Sequence, residues 1–274
     1  MASPAALRGV GLHTGRVVEM TLRPAEAGGG IAFRRTDRPG PVIPARVEQV
    51  TATESCVALG GESGVRTVEH VLSAARALGV DNLLIELDGP EVPGMDGSAL
   101  PFVRALRDAG LRAQSAPRAV LRVQAPVWVG DGAGGCAVAL PAAQLSLTCV
   151  VTLRAPAAGD QAATFDAAAG AYEEEIAPAR TWGYERDAAS LRARGLALGA
   201  SLENTLAIGG TGFLNAPRFE NEPARHKVLD LLGDLALLGA ELAAAVIAVR
   251  AGHTLHVALA RALRAQAPHP AGSS

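Results

Sequence analysis

The run His226-Lys227-Val228-Leu229-Asp230, followed by Asp234, places an imidazole, an ammonium and two carboxylates close together in the chain. On a helix turning ~100° per residue, these four side chains fall within an arc of roughly 100°. Val228, Leu231, Leu232 and Leu235 fall on the other side. A His and an Asp at i, i+4 project side by side, one turn apart, as two ligands of a small cation must. The plain alternative is a solvated face with i, i+4 charge pairs. Against it, the only polar side chains from Val228 to Leu238 are the two aspartates. A helix this apolar is expected to be buried, and buried carboxylates need partners.

Thr67-Val68-Glu69-His70 offers a third ligand, His70 near a helix start, with Glu69 rotated by ~100° into the same cavity without binding the cation. A glutamate beside a zinc histidine can take a proton from the bound water. Two histidines and one carboxylate form a frequent catalytic zinc set with one position left for water, and iron(II) satisfies the same donors. Cleaving an amide also needs an acid for the departing amine. His253, after an apolar run and Gly252, is a candidate, and a carboxylate such as Asp234 would keep it protonated. Taken alone, Glu-His and a lone histidine are ordinary surface or structural features, so the weight lies on the combination.

The elements that would position these residues read as follows. Val17–Leu22 and Ile31–Phe33 are strand-like, separated by the turn at Gly28-Gly29-Gly30. Thr67–Leu78 reads as a helix capped by Thr67 and stopped by Gly79, followed by the strand Leu83–Leu87. Pro101–Ala109 is a second helix, closed by Gly110. Residues 111–119 lack periodicity and mark a domain boundary. Beyond it come strands at Ala119–Val129 and Leu145–Leu153, then a loop rich in Ala, Gly and Asp. Tyr172–Ile176 and Arg186–Arg194 read as helical, the latter ending at Gly195. Arg225–Gly239 is the clearest helix, and Leu242–Arg250 is either its tail or a strand. His70 and His226 each lie near the start of a helix that a glycine ends before an apolar run, a weak internal echo. Alternating strands and helices with short links indicate an α+β or α/β class.

With 274 residues, 49% of them hydrophobic, the chain can form one large or two modest domains. A net charge of −2 and 3% aromatic residues argue against nucleic acid as a partner. Cys56, Cys136 and Cys149 are widely spaced, which fits neither a disulfide framework nor a Cys-rich zinc module. Met1–Gly15 has no signal-peptide core, and the apolar stretch Leu231–Val249 is interrupted by Asp234 and Glu241, so no transmembrane segment is expected. A cytoplasmic protein is expected, free to make transient contact with a membrane surface.

Several of these segments together resemble the UDP-3-O-acyl-N-acetylglucosamine deacetylase family, LpxC. They are Gly9–Gly15, Thr67–His70, Asp81-Asn82, Met95–Ala99, Ala179–Gly183, Arg194–Gly199, Arg218–Glu222, Arg225–Asp230, Gly233–Leu235 and Gly252-His253, in family order. The resemblance implies zinc held by His70, His226 and Asp230, Glu69 as general base, and His253 as general acid held by Asp234. It implies that Thr181 bonds the developing oxyanion and that Lys227 adds positive charge near the oxyanion or the substrate's phosphates. Trp182 stands on the substrate side where many relatives have Phe. The implied fold is α+β, with two similar domains (1–114 and 119–265, then a polar tail at 266–274). Each would be a sheet packed on a helical layer, and the helical layers would face each other across the site. An insert near 183–210 would form an apolar acyl passage, with Leu191, Leu196, Leu198, Leu202 and Leu206 as its lining. The implied reaction releases acetate from the 2-acetamido group of a UDP-3-O-(3-hydroxyacyl)-N-acetylglucosamine, the committed step of lipid A synthesis in a Gram-negative cytoplasm. A monomer is expected. Departures from the family pattern are His256 where Asn is expected, Ala200 where Gly is frequent, and Glu54 near the metal side. His13 would lie on the substrate side or behind it, or else steady its own turn, and Asp96 would form a turn. Rival readings are a zinc amidohydrolase for another acetylated substrate and a non-catalytic binder.

Overall fold

Strict alternation along Val17–Pro24 turns Val18, Met20 and Leu22 inward and Glu19, Thr21 and Arg23 outward, the signature of a strand with one buried face. The computed structural model describes residues 1–155 and 159–266. Its first sheet contains β1 (Ala5–Val10), β2 (Val17–Pro24), β3 (Ile31–Arg35) and β4 (Ile43–Pro44). A small three-stranded sheet follows, of β5 (Val50–Ala52), β6 (Ala58–Leu59) and β7 (Val65–Arg66). Then come α1 (Glu69–Ala77), β8 (Leu83–Leu87) and α2 (Leu100–Asp108). Strand β8 enters the first sheet between β2, to which it is antiparallel, and β3, to which it is parallel.

The second large sheet contains β9 (Val120–Arg122), β10 (Val127–Gly130), β11 (Cys136–Pro141), β12 (Ser146–Thr152) and β13 (Asp160–Asp166). The chain continues through α3 (Tyr172–Glu175), β14 (Trp182–Tyr184), α4 (Ala188–Ala193) and β15 (Leu206–Ile208) to α5 (Glu222–Ala236), β16 (Glu241–Val249) and α6 (His253–Gln266). Strand β16 lies between β11, antiparallel, and β12, parallel, and β9 pairs with its first residues. Strands β14 and β15 form a separate parallel pair joined through α4. The architecture is thus mixed α+β, with sheets packed against helices.

Helix α5 is central. It packs on β12, β13, α6 and α1. Both its faces are buried: Val228, Leu229, Leu231 and Leu232 on one side and His226, Asp230 and Asp234 on the other. Helix α1 meets it almost backbone to backbone. A Cβ added at Gly233 would lie 2.0 Å from the Glu69 carbonyl oxygen. Only glycine at this point allows the two helices their separation.

Several sequence expectations change here. Helix α1 begins at Glu69, and Thr67 does not cap it. Thr67 has φ 58°, unusual for a β-branched residue, and its hydroxyl donates to Glu91 Oε1 at 2.8 Å. The stretch read as one strand over Ala119–Val129 is two strands, separated around Pro126, which cannot donate to a ladder. The Ala/Gly/Asp-rich segment after Leu153 contains β13. Leu242–Arg250 is the strand β16, and α5 starts three residues earlier than read, at Glu222. Residues just past Ala260 continue α6, with Leu263 buried; most of the 266–274 tail lies outside the described residues. No helix among the described residues is long and apolar enough to cross a membrane.

Gly233→Ala should lower the unfolding free energy by about 1–3 kcal/mol, the usual cost of forcing extra volume into a packed contact. Denaturant melts read this, and an unchanged midpoint would show that the two helices have slack at their crossing.

Candidate metal centre

Helix α1 contributes His70 at its second residue and α5 contributes His226 and Asp230, one turn apart. All three are at least 96% buried. His226 Nε2 lies 3.3 Å and His70 Nε2 3.8 Å from Asp230 Oδ1, and the two rings stand edge to face with centroids 5.1 Å apart. The ligand atoms of this trio lie within 4.8 Å of one another. Asp230 Oδ1 has no hydrogen-bond partner among the described residues. A buried carboxylate oxygen with no donor, facing two imidazole nitrogens, is a cation's place, so the residues present fit a metal ion. His226 Nδ1 contacts the Ala179 carbonyl at 3.0 Å, which fixes Nδ1 as the protonated nitrogen and leaves Nε2 free to bind.

Electrostatics favour the ligating forms. Burial, then neighbouring His226, pulls His70 down to about 3, so its ring is neutral. Burial alone would raise Asp230, but His226, Lys227 and His253 outweigh it and hold it well below the usual carboxylate range. Lys227 Nζ donates to Asp230 Oδ2 at 2.7 Å and sits 5.8 Å from the centre of the Trp182 ring.

Two further groups flank the trio. Glu69, fully enclosed, accepts from the Val57 N–H at 3.1 Å through Oε2, and its Oε1 lies 3.7 Å from His253 Nε2. Burial, reinforced by Asp234 and Asp230 and opposed by His253, pushes its carboxyl up to about 7. His253, the first residue of α6, bonds Asp234 Oδ2 through Nδ1 at 2.8 Å. Burial would lower its pKa; Asp234, Glu69 and Asp230 outweigh that and raise it to about 9. A carboxyl poised near neutrality and an imidazole held protonated therefore stand side by side, the pairing that acid–base chemistry uses.

A cavity of about 830 Å³ opens onto these groups. Thr181, Trp182, Lys227, His13, Leu191 and Ala200 line it, as does Arg250. Leu202 is exposed and outside the lining, as is Leu198; Leu196 and Leu206 are buried and also outside it. Glu54 pairs with Arg194, joining its own loop to the 183–210 segment rather than entering the ligand set. Asp96 forms the expected turn, accepting from Ser98 N at 3.1 Å, and its other oxygen accepts from Arg218 at 2.9 Å. His256 points away from the cavity, at Asp234.

Two carboxylates that sequence reasoning missed hold the walls. Glu91, wholly buried, accepts from His13 N, Thr14 N and Thr67 Oγ1 at 2.7–2.8 Å, clamping the Gly9–Gly15 turn to the entry of α1. Glu222, at the start of α5, accepts from Arg180 N, Nε and Nη2 and from Arg218 N. That ion pair fixes the segment 179–181, which leads into β14; its Ala179 carbonyl orients His226 and its Thr181 faces the cavity. Apart from Arg218, their partners lie 24 to 78 residues away in sequence, and no local pattern announces these contacts.

Donors for one cation beside an acid and a base define the class of metal-assisted hydrolases. The family model described as "LpxC: UDP-3-O-acyl N-acetylglycosamine deacetylase" matches residues 1–265. A UDP-3-O-acyl-N-acetylglucosamine deacetylase of Thermosynechococcus vestitus is 44% identical over 97% of this chain and 93% of its own. Proteins of the same name from Myxococcus xanthus and Phenylobacterium zucineum are each 43% identical, over 94% and 96% of this chain and 83% and 92% of theirs. The chain belongs to the LpxC deacetylase family, whose members hydrolyse an amide in lipid A biosynthesis.

Removing Glu222 should strand the Arg180 guanidinium in the interior. Glu222→Ala is expected to cost about 3–5 kcal/mol in chemical denaturation. A loss under 1 kcal/mol would show that Arg180 finds water instead.

Proposed function

We propose that the chain is a zinc-dependent deacetylase that removes acetate from the 2-acetamido group of an acylated UDP-N-acetylglucosamine. The observation that carries this reading is the convergence of His70, His226 and Asp230, with Asp230 Oδ1 unpartnered, beside the Glu69–His253 pair. When bound there, zinc would supply Lewis acidity and lower the pKa of water; iron(II) would serve the same donors.

The protein's own groups account for the proton movements. Glu69, poised near neutrality, takes a proton from the attacking water. The amide carbon becomes tetrahedral and its oxygen negative. Thr181 and Lys227, which line the cavity, face that charge. His253, charged and steadied by Asp234, gives its Nε2 proton to the departing nitrogen. The C–N bond breaks to leave acetate and a free amine, and one water is consumed.

The rest of the cavity suits the substrate's two ends. Leu191, Leu12, Ala197 and Ala200 supply apolar lining for an acyl chain. Lys227 and Arg250 supply positive charge for a diphosphate, with Trp182 beside Lys227. We further infer two similar halves, 1–114 and 119–265, with an insert at 183–210, in a cytoplasmic monomer. Supporting this, each large sheet places a strand that follows a buried helix between one antiparallel and one parallel neighbour.

Acetate release from the 3-O-acylated UDP-sugar should depend on the acyl group and stop with a chelator. Equal rates on the unacylated sugar would favour another acetylated substrate. Glu69→Gln should cut kcat by about 10²-fold or more while retaining metal; parental turnover would remove Glu69 as the base. Asp230→Ala should lose the metal, which elemental analysis reads. The pH profile of kcat/KM should be bell-shaped. It rises as Glu69 loses its proton, at or below about 7, and falls as His253 loses its own, at or below about 9, since a bound dication lowers both limbs. A profile flat from pH 6 to 10 would contradict the assignment.

A further inference from the structure

Asp234 receives two rings on one oxygen. His253 Nδ1 and His256 Nδ1 each lie 2.8 Å from Asp234 Oδ2, while Asp234 Oδ1 has no partner among the described residues. The two histidines are three residues apart on α6, so they share a face, and their rings stand 6.1 Å apart at 81°. His256 and Asp234 are wholly buried, and His256 does not line the cavity. His256 therefore stands behind Asp234, outside the cavity lining and outside the His70–His226–Asp230 trio.

The tautomer follows from chemistry. His253, and with it His256, holds the Asp234 carboxyl below its ordinary range despite burial, so the group is ionised and only accepts. Each ring must then present an N–H from Nδ1. His256 Nε2 is buried without a partner, and burial lowers this histidine's pKa, so its ring is neutral with Nε2 bare. An aspartate carboxylate rotates freely in a broad two-fold well about χ2. Held by one N–H, it could turn and take the His253 ring with it. A second N–H on the same oxygen, from a ring seated in the core, removes that freedom.

We propose that His256 is a positioning residue for the proton donor: its Nδ1–H fixes the Asp234 carboxylate so that Oδ2 keeps His253 Nε2 turned into the cavity. This rests on the reading of His253 as the acid. That ring's Nε2 stands 3.7 Å from Glu69 Oε1 and 4.0 Å from Asp230 Oδ2, so a modest rotation would move it off the reacting amide.

The test uses the zinc-loaded enzyme and two variants. His256→Phe keeps a ring and loses the N–H; it should lower kcat about tenfold with KM and bound zinc unchanged. His256→Asn restores an N–H donor and should recover most of that loss. A Phe variant at parental kcat, or an Asn variant as slow as the Phe variant, would overturn the inference. Long-range ¹H–¹⁵N correlation on the unsubstituted enzyme supplies a readout independent of variant folding. It should show His256 protonated at Nδ1 and bare at Nε2; the opposite tautomer overturns the inference alone. An unsubstituted, zinc-loaded enzyme inactive on the acylated UDP-sugar would overturn the deacetylase reading and this inference with it.

Discussion

The contact between the Gly233 backbone in α5 and the Glu69 carbonyl in α1 governs the whole site. Each helix alone carries an incomplete set: α1 has Glu69 and His70, α5 has His226, Asp230 and Asp234. Their near-contact brings His70 from one helix onto His226 and Asp230 of the other and sets Glu69 beside His253. A side chain at position 233 would collide with the Glu69 carbonyl and force the two helices apart. The Glu91 and Glu222 clamps serve the same end, tying the loops that line the cavity to the starts of these two helices.

Burying so many ionisable groups in one place is costly unless they neutralise one another. The arrangement does this in linked pairs. Lys227 answers Asp230, His253 answers Asp234, and His226 finds the Ala179 carbonyl. Within the His70–His226–Asp230 trio, the carboxylate oxygen left without a hydrogen-bond partner among the described residues is Asp230 Oδ1, and two ring nitrogens face it. Solvent exclusion that would be a liability elsewhere here lifts Glu69 to about 7, where a carboxyl can act as a base without being permanently charged.

Much of this was legible in the chain itself, where local pattern decides. The ionisable stripe of α5 stood out because nothing else polar accompanied it, and burial on both faces explains why. Gly79, Gly110, Gly195 and Gly239 all adopt positive φ where helices were expected to stop. Long-range contacts left no such trace. Thr67 has a capping residue's identity, but its hydroxyl serves Glu91, 24 residues on. Strand β13 alternates exposed and buried residues in Ala-rich sequence too weakly apolar to read as a strand. Leu202 matched a passage by position in the chain; its side chain is exposed and outside the cavity lining. His256 looked like a departure from family pattern, and only the structure shows it bonded to the partner of His253.

The central claim is that two helices present two imidazoles and one carboxylate to a single cation. X-ray absorption on the purified, metal-loaded protein tests it most directly. The account predicts one metal per chain with two imidazole nitrogens and light oxygen donors in its shell. A shell containing sulfur, one made only of oxygen, or a chain that retains no stoichiometric metal would contradict it.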